Sequence, residues 1–139
     1  MNNKNTIPLP IYYALILLQF ILPFIASGID MLSNNAELKL LDETLYIEPQ
    51  MWEISVMLIV GIILLIIVIG LLLRKEWARK AYLFTIIPSF LIYFMPYMQW
   101  FYMTSSAALF NDLAYICSGM LLMILIMPQL YKPLFNDQK

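Results

Sequence analysis

The sequence has no histidine, one cysteine (Cys117) and only four glycines in 139 residues. It therefore cannot form an internal disulfide, a bis-His haem site, a thiol redox pair or an ordinary zinc site. Charge is scarce too, at 12% of residues, against about 25% in soluble domains. Eight Lys and Arg balance nine Asp and Glu to a net charge of -1. That balance lacks the basic footprint needed to bind a phosphate backbone, so nucleic acid is not an expected partner. No nucleophile paired with a base, phosphate loop or metal constellation is visible, so neither an enzyme activity nor a cofactor is expected.

What is present is apolar sequence, 63% of the chain with a mean hydropathy of +0.81, in a length that suits one domain. A helix crosses the roughly 30 Å hydrocarbon layer with about 20 apolar residues. Four stretches meet that requirement, about 9–28, 54–73, 81–102 and 107–131. Lipid offers the backbone no hydrogen bonds, so even the Ile- and Val-rich second stretch must be helical. The expected fold is an all-α polytopic membrane protein, a bundle of four transmembrane helices. An extended outer loop over about 29–53 joins its first two helices. Lys4 before an apolar run, with Ala26 and Gly28 after it, has the spacing of a cleaved leader; we read the segment as a spanning helix.

Basic residues collect on the cytoplasmic side of short loops. The turn after the second span holds Arg74, Lys75, Arg79 and Lys80, which places it inside, against anionic headgroups. The loop after the first span holds Asp30, Glu37, Asp42, Glu43, Glu48 and Glu53 against Lys39, which places it outside. Lys4, Lys132 and Lys139 then put both termini in the cytoplasm. Tyr12, Tyr13, Trp52, Trp77, Trp100, Tyr102 and Tyr131 fall near span ends, as interfacial aromatic anchors do.

Within the outer loop, Ser33, Asn34 and Asn35 offer helix caps, and Leu38, Leu41 and Leu45 follow at helical spacing. A short amphipathic helix is expected there, ended by Glu48-Pro49. The acids are too dispersed for a calcium loop, and no metal site is expected.

Polar groups inside spans are the candidate functional residues. Asn111, Asp112 and Tyr115 of the fourth span, with Tyr97 and Gln99 of the third, form an expected outer polar cluster. The cluster could bind a polar headgroup or clamp the two helices by hydrogen bonds. Gln19 lies mid-span in the first helix, where Thr85 or Ser89 could partner it. Pro23, Pro88 and Pro96 predict kinks that could open a cavity. Ala114, Ser118 and Gly119 give the fourth helix a small-residue packing face.

With its long outer loop and the basic turn around Trp77-Ala78-Arg79, the chain resembles small four-span bacterial inner-membrane proteins. The resemblance implies a multi-pass bacterial cytoplasmic-membrane location and carries no functional residue. Two functions remain open. One is a non-catalytic membrane protein acting through a membrane-protein partner, as an accessory subunit, immunity or regulatory protein. The other is a small oligomeric transporter, channel or lipid-binding protein. Partners expected from either are the lipid bilayer and a second membrane chain or further copies of this one.

Overall fold

The structure is a computed structural model that describes residues 7–33, 36–98 and 102–136. It is all-helical, with no strand among the described residues. Among the described residues six α-helices follow one another: α1 (Leu9–Leu32), α2 (Ala36–Leu45), α3 (Met51–Leu72), α4 (Glu76–Ser89), α5 (Ser105–Ile126) and α6 (Pro128–Asn136). Three of them, α1, α3 and α5, are long and apolar enough to cross a membrane. Lys4, Asn34, Asn35, Gln99, Trp100 and Lys139 lie outside the described residues.

Proline sets most of the boundaries. Pro8 precedes α1 and Pro10 sits in its first turn, where a missing N–H costs nothing. Met127 precedes Pro128, is held extended at φ -76° and ψ 116°, and so ends α5. Pro128 then opens α6 at its first position. The expected fourth span over 107–131 is therefore two helices. Between Pro88 and Pro96 the third span changes character. Pro88 gives Phe84 no amide proton, α4 stops at Ser89, and two 3-10 turns follow over Phe90–Phe94 and Pro96–Met98. Met95, before Pro96, is extended at ψ 136°. The continuous helix expected over 81–102 is thus corrected to a short α-helix continued by 3-10 turns.

Hydrogen bonds between residues distant in sequence fix how the elements run. The Thr104 amide, at the start of α5, donates to the Asp30 carboxylate near the end of α1 at 2.8 Å, so these two helices are antiparallel. The Tyr12 hydroxyl donates to the Leu71 carbonyl at 3.0 Å, which sets α3 antiparallel to α1. Arg79 donates to the Leu125 carbonyl at 2.9 Å, and α4 therefore starts where α5 ends. At the far end the Tyr97 amide donates to Glu53 in the first turn of α3 at 3.2 Å. The stretch from Arg79 to Tyr97 thus runs the whole length of α3, about 33 Å for 22 residues.

The α1–α5 pair is the most extensive helix contact, and α3 packs on α4. The core is densest at the end that carries the 74–80 turn. There Tyr12, Ile16, Leu71, Leu121 and Leu125 are fully enclosed, and Leu134 and Phe135 of α6 close the base. Tyr12 is accordingly a core residue, with its ring edge-on to Phe135, and the expectation of an interfacial anchor is corrected.

The α3–α4 turn is built for closeness. Lys75 N–H bonds to Gly70 O and Arg74 N–H to Leu71 O, a Schellman closure with Arg74 at φ 53°. A Cβ on Gly70 would lie 2.5 Å from Ala78 Cβ and 2.8 Å from the Trp77 ring. Only glycine allows the two helices to meet there.

Candidate functional site

Gln19 is the eleventh residue of α1, about 15 Å from its start by helical rise. Its side chain points into the bundle and is 9% exposed. The Tyr82 hydroxyl of α4 donates to Gln19 Oε1 at 2.9 Å and lies 3.3 Å from Ser118 Oγ of α5. One phenol thereby joins three helices. Gln19 Nε2 is buried and has no hydrogen-bond partner among the described residues. Pro23, one turn later, has no N–H to give the Gln19 carbonyl, so the helix is weakened at the same level.

These groups line a cavity of about 380 Å³, within the usual range for small-molecule sites. Its walls are Gln19, Phe20 and Pro23 of α1, Leu64 of α3, the Tyr82–Ser89 face of α4, and Asn111 to Leu122 of α5. Exposed Phe90, Tyr93 and Tyr115 stand where it opens. No Asp, Glu, Lys or Arg lines it. Thr85 and Ser89 hydroxyls are engaged with their own helix, donating to Tyr82 O at 2.8 Å and Ile86 O at 2.6 Å. The Gln19 amide is therefore the buried donor that a bound molecule can use. A neutral site of this kind can hold and orient a ligand.

The expected outer polar cluster is divided among the described residues. Asn111 and Tyr115 do line the cavity. Asp112 is exposed, Tyr97 engages Glu53 through its backbone, and Gln99 lies outside the described residues. On α5 the cavity wall is formed by Asn111, Ala114, Tyr115, Ser118 and Leu122, and Asp112 is not part of it. Gln19 reaches the third span as expected, but at Tyr82; Thr85 and Ser89 share only the cavity wall. Of the small-residue face, Ala114 is buried and Ser118 meets Tyr82, whereas Gly119 is exposed with nothing near it. Gly119 is one residue off the packed stripe.

The basic turn is also divided. Arg74, Lys75 and Lys80 are half-buried or exposed, but Arg79 is 9% exposed and turned inward. Arg79 grips both Glu76 oxygens, with Nη2 at 2.6 Å from Oε1, bonds to Leu125 O and stacks 3.8 Å over the Tyr131 ring. The expectation that Arg79 faces headgroups is corrected, since its guanidinium locks α4, α5 and α6. The hydrogen bond from Arg79 holds the Glu76 carboxyl below the usual range, and the same pairing raises Arg79.

Two key residues escaped sequence reading. Tyr82 carried no motif, though it lies three positions after Arg79 on one helix face. Glu53 reads as a loop acid, yet it is fully buried, accepting the Gln50 amide at 2.8 Å and the Tyr97 amide. Its place three residues after Gln50, just before an apolar run, was the available sign of a reach-back cap.

No protein-family model matches the chain, and no curated protein or solved structure matches it.

Proposed function

We propose that the chain is a non-catalytic multi-pass membrane protein that binds a membrane-resident small molecule between α1, α4 and α5. The observation that carries this reading is the unpartnered Gln19 amide, buried on the wall of a cavity with no charged residue. Leaving such a donor unpaired costs about 1–3 kcal/mol, and a ligand oxygen would remove that cost. In this reading Ala81 to Met98 is a fourth crossing. Support comes from its reach along all of α3 and from rise alone, since nine α-helical and eight 3-10 residues extend about 30 Å. The basic turn and both termini then face the cytoplasm of a bacterial inner membrane, following the positive-inside bias.

A second reading, association with another membrane chain or with further copies, has α3 in its favour. Only 17% of its apolar window is covered by the chain itself. A partner and lipid would both suit such a surface.

The test is native mass spectrometry of the intact protein released gently from its own membrane. A stoichiometric adduct of small mass, lost in Gln19→Leu, is expected. A wild-type protein free of any adduct would overturn the ligand reading, and a stoichiometric protein companion would favour the second.

A further inference from the structure

A second cavity, of about 440 Å³, lies on the other side of α4. Its walls are Trp52, Val56, Val60 and Ile63 of α3, with Pro88 in the last turn of α4 and Leu91 just beyond it. It shares Leu64, Thr85 and Ser89 with the cavity that holds Gln19. The two spaces therefore adjoin at the last turn of α4. They differ in chemistry. One offers a buried amide donor with Tyr82 and Ser118 beside it, and the other is walled by aliphatic and aromatic side chains, its two hydroxyls already engaged with the α4 backbone.

The geometry points to a bipartite site for a neutral single-chain amphiphile. The ligand's carbonyl oxygen accepts from Gln19 Nε2, and its hydrocarbon chain passes the Thr85–Ser89 turn into the α3–α4 groove. This inference rests on the ligand reading above and specifies the molecule. Three features select the class. The orphan group is a donor, so the ligand supplies an acceptor. Neither cavity has a cationic residue on its wall, which disfavours a phosphate or a carboxylate at this depth. The donor sits beside an apolar groove, so polar oxygen and chain must be close in one molecule.

Trp52 in the groove wall supplies the signal. In a protein carrying Trp77→Phe and Trp100→Phe, a glycerol ester with a dibrominated acyl chain is expected to quench Trp52 saturably. Its ether analogue, with the same chain and no carbonyl, should bind about tenfold more weakly, the usual worth of one buried hydrogen bond. That comparison needs no variant at the site. Gln19→Leu should erase the ester preference, and Val60→Phe should weaken both lipids by filling the groove.

Retention of the ester by native mass spectrometry with neither Trp52 quenching nor sensitivity to Val60→Phe would overturn the placement of the chain and leave the ligand reading standing. Equal affinity for ester and ether, or for the brominated fatty-acid anion, would overturn the proposed class. Failure to bind any of these lipids, in a protein that still carries its own small-mass adduct, would likewise reject the class alone. Loss of both would reject the ligand reading itself.

Discussion

Tyr82 and Gln19 are 63 positions apart in sequence and 2.9 Å apart in the bundle, phenol to amide oxygen. The bond fixes α4 against α1 at mid-depth and turns the free end of the amide toward the cavity. Tyr82→Phe removes the donor while keeping the ring. It should destabilise the protein by about 1 kcal/mol, in line with hydrogen bonds inside membrane bundles. The double variant Tyr82→Phe with Gln19→Leu should cost less than the sum of the single changes, because it strands neither the Gln19 amide nor the Tyr82 hydroxyl. Unfolding in bicelles measures all three, and strict additivity would count against the coupling.

Gly70→Ala should loosen the α3–α4 turn. The added methyl meets Ala78 and the Trp77 ring inside contact distance, and overpacking of this kind costs about 1–3 kcal/mol. Gly61→Ala is the control, since nothing lies near its Cβ position and helix propensity favours Ala by about 0.5–1 kcal/mol. Opposite signs in thermal stability are expected for the two.

Arg74 has the left-handed backbone at φ 53° that glycine adopts freely. Arg74→Gly should raise stability by about 1 kcal/mol through relief of that conformation. A fall in melting temperature would show that the Arg74 side chain matters more than its backbone.

Arg79→Lys should behave almost as badly as Arg79→Ala. A single ammonium cannot grip both Glu76 oxygens, reach Leu125 O and stack flat on Tyr131 at once. A loss of about 2 kcal/mol is expected for either change, read from chemical unfolding.

Acid should undo the same lock from its other side. The carboxyl of Glu76 is held below the usual range by Arg79, so its contribution is complete above the ordinary glutamate pKa. The contribution should fade below about pH 4, as the folded carboxyl takes up a proton. Glu76 is 45% exposed on its side chain, so the effect is modest. Glu76→Gln should flatten that part of the pH profile, seen as a smaller acid-induced drop in melting temperature.

The helical class and the stretches α1, α3 and α5 were legible because hydropathy and backbone satisfaction in lipid leave little choice. The amphipathic α2 was legible too, with Leu38, Leu41 and Leu45 half-buried as their spacing predicts. By hydropathy the third span reads as one kinked helix, whereas Pro88 and Pro96 together convert its second half to 3-10 turns. At the site, Gln19 stood out as a deep polar group, but its partner did not. Hydropathy ranks Tyr82 as one more aromatic, and only the packing of α1, α4 and α5 shows where its hydroxyl lies. Arg79 was hidden for the same reason, because charge counting treats the four cations of one turn alike.

The 2.8 Å bond from Thr104 to Asp30 joins the start of α5 to the end of α1 across 74 positions. During synthesis the α3–α4 turn can close at once, but α1 must wait for α5, a delay of about 4–15 s for those positions at about 5–20 residues per second. In that interval Gln19 has no Ser118-side wall behind it, and the cavity is incomplete. The last long helix to leave the ribosome is the one that completes the cavity, so a nascent chain stalled before α5 would carry every basic residue of the 74–80 turn and lack the α5 wall beside Gln19.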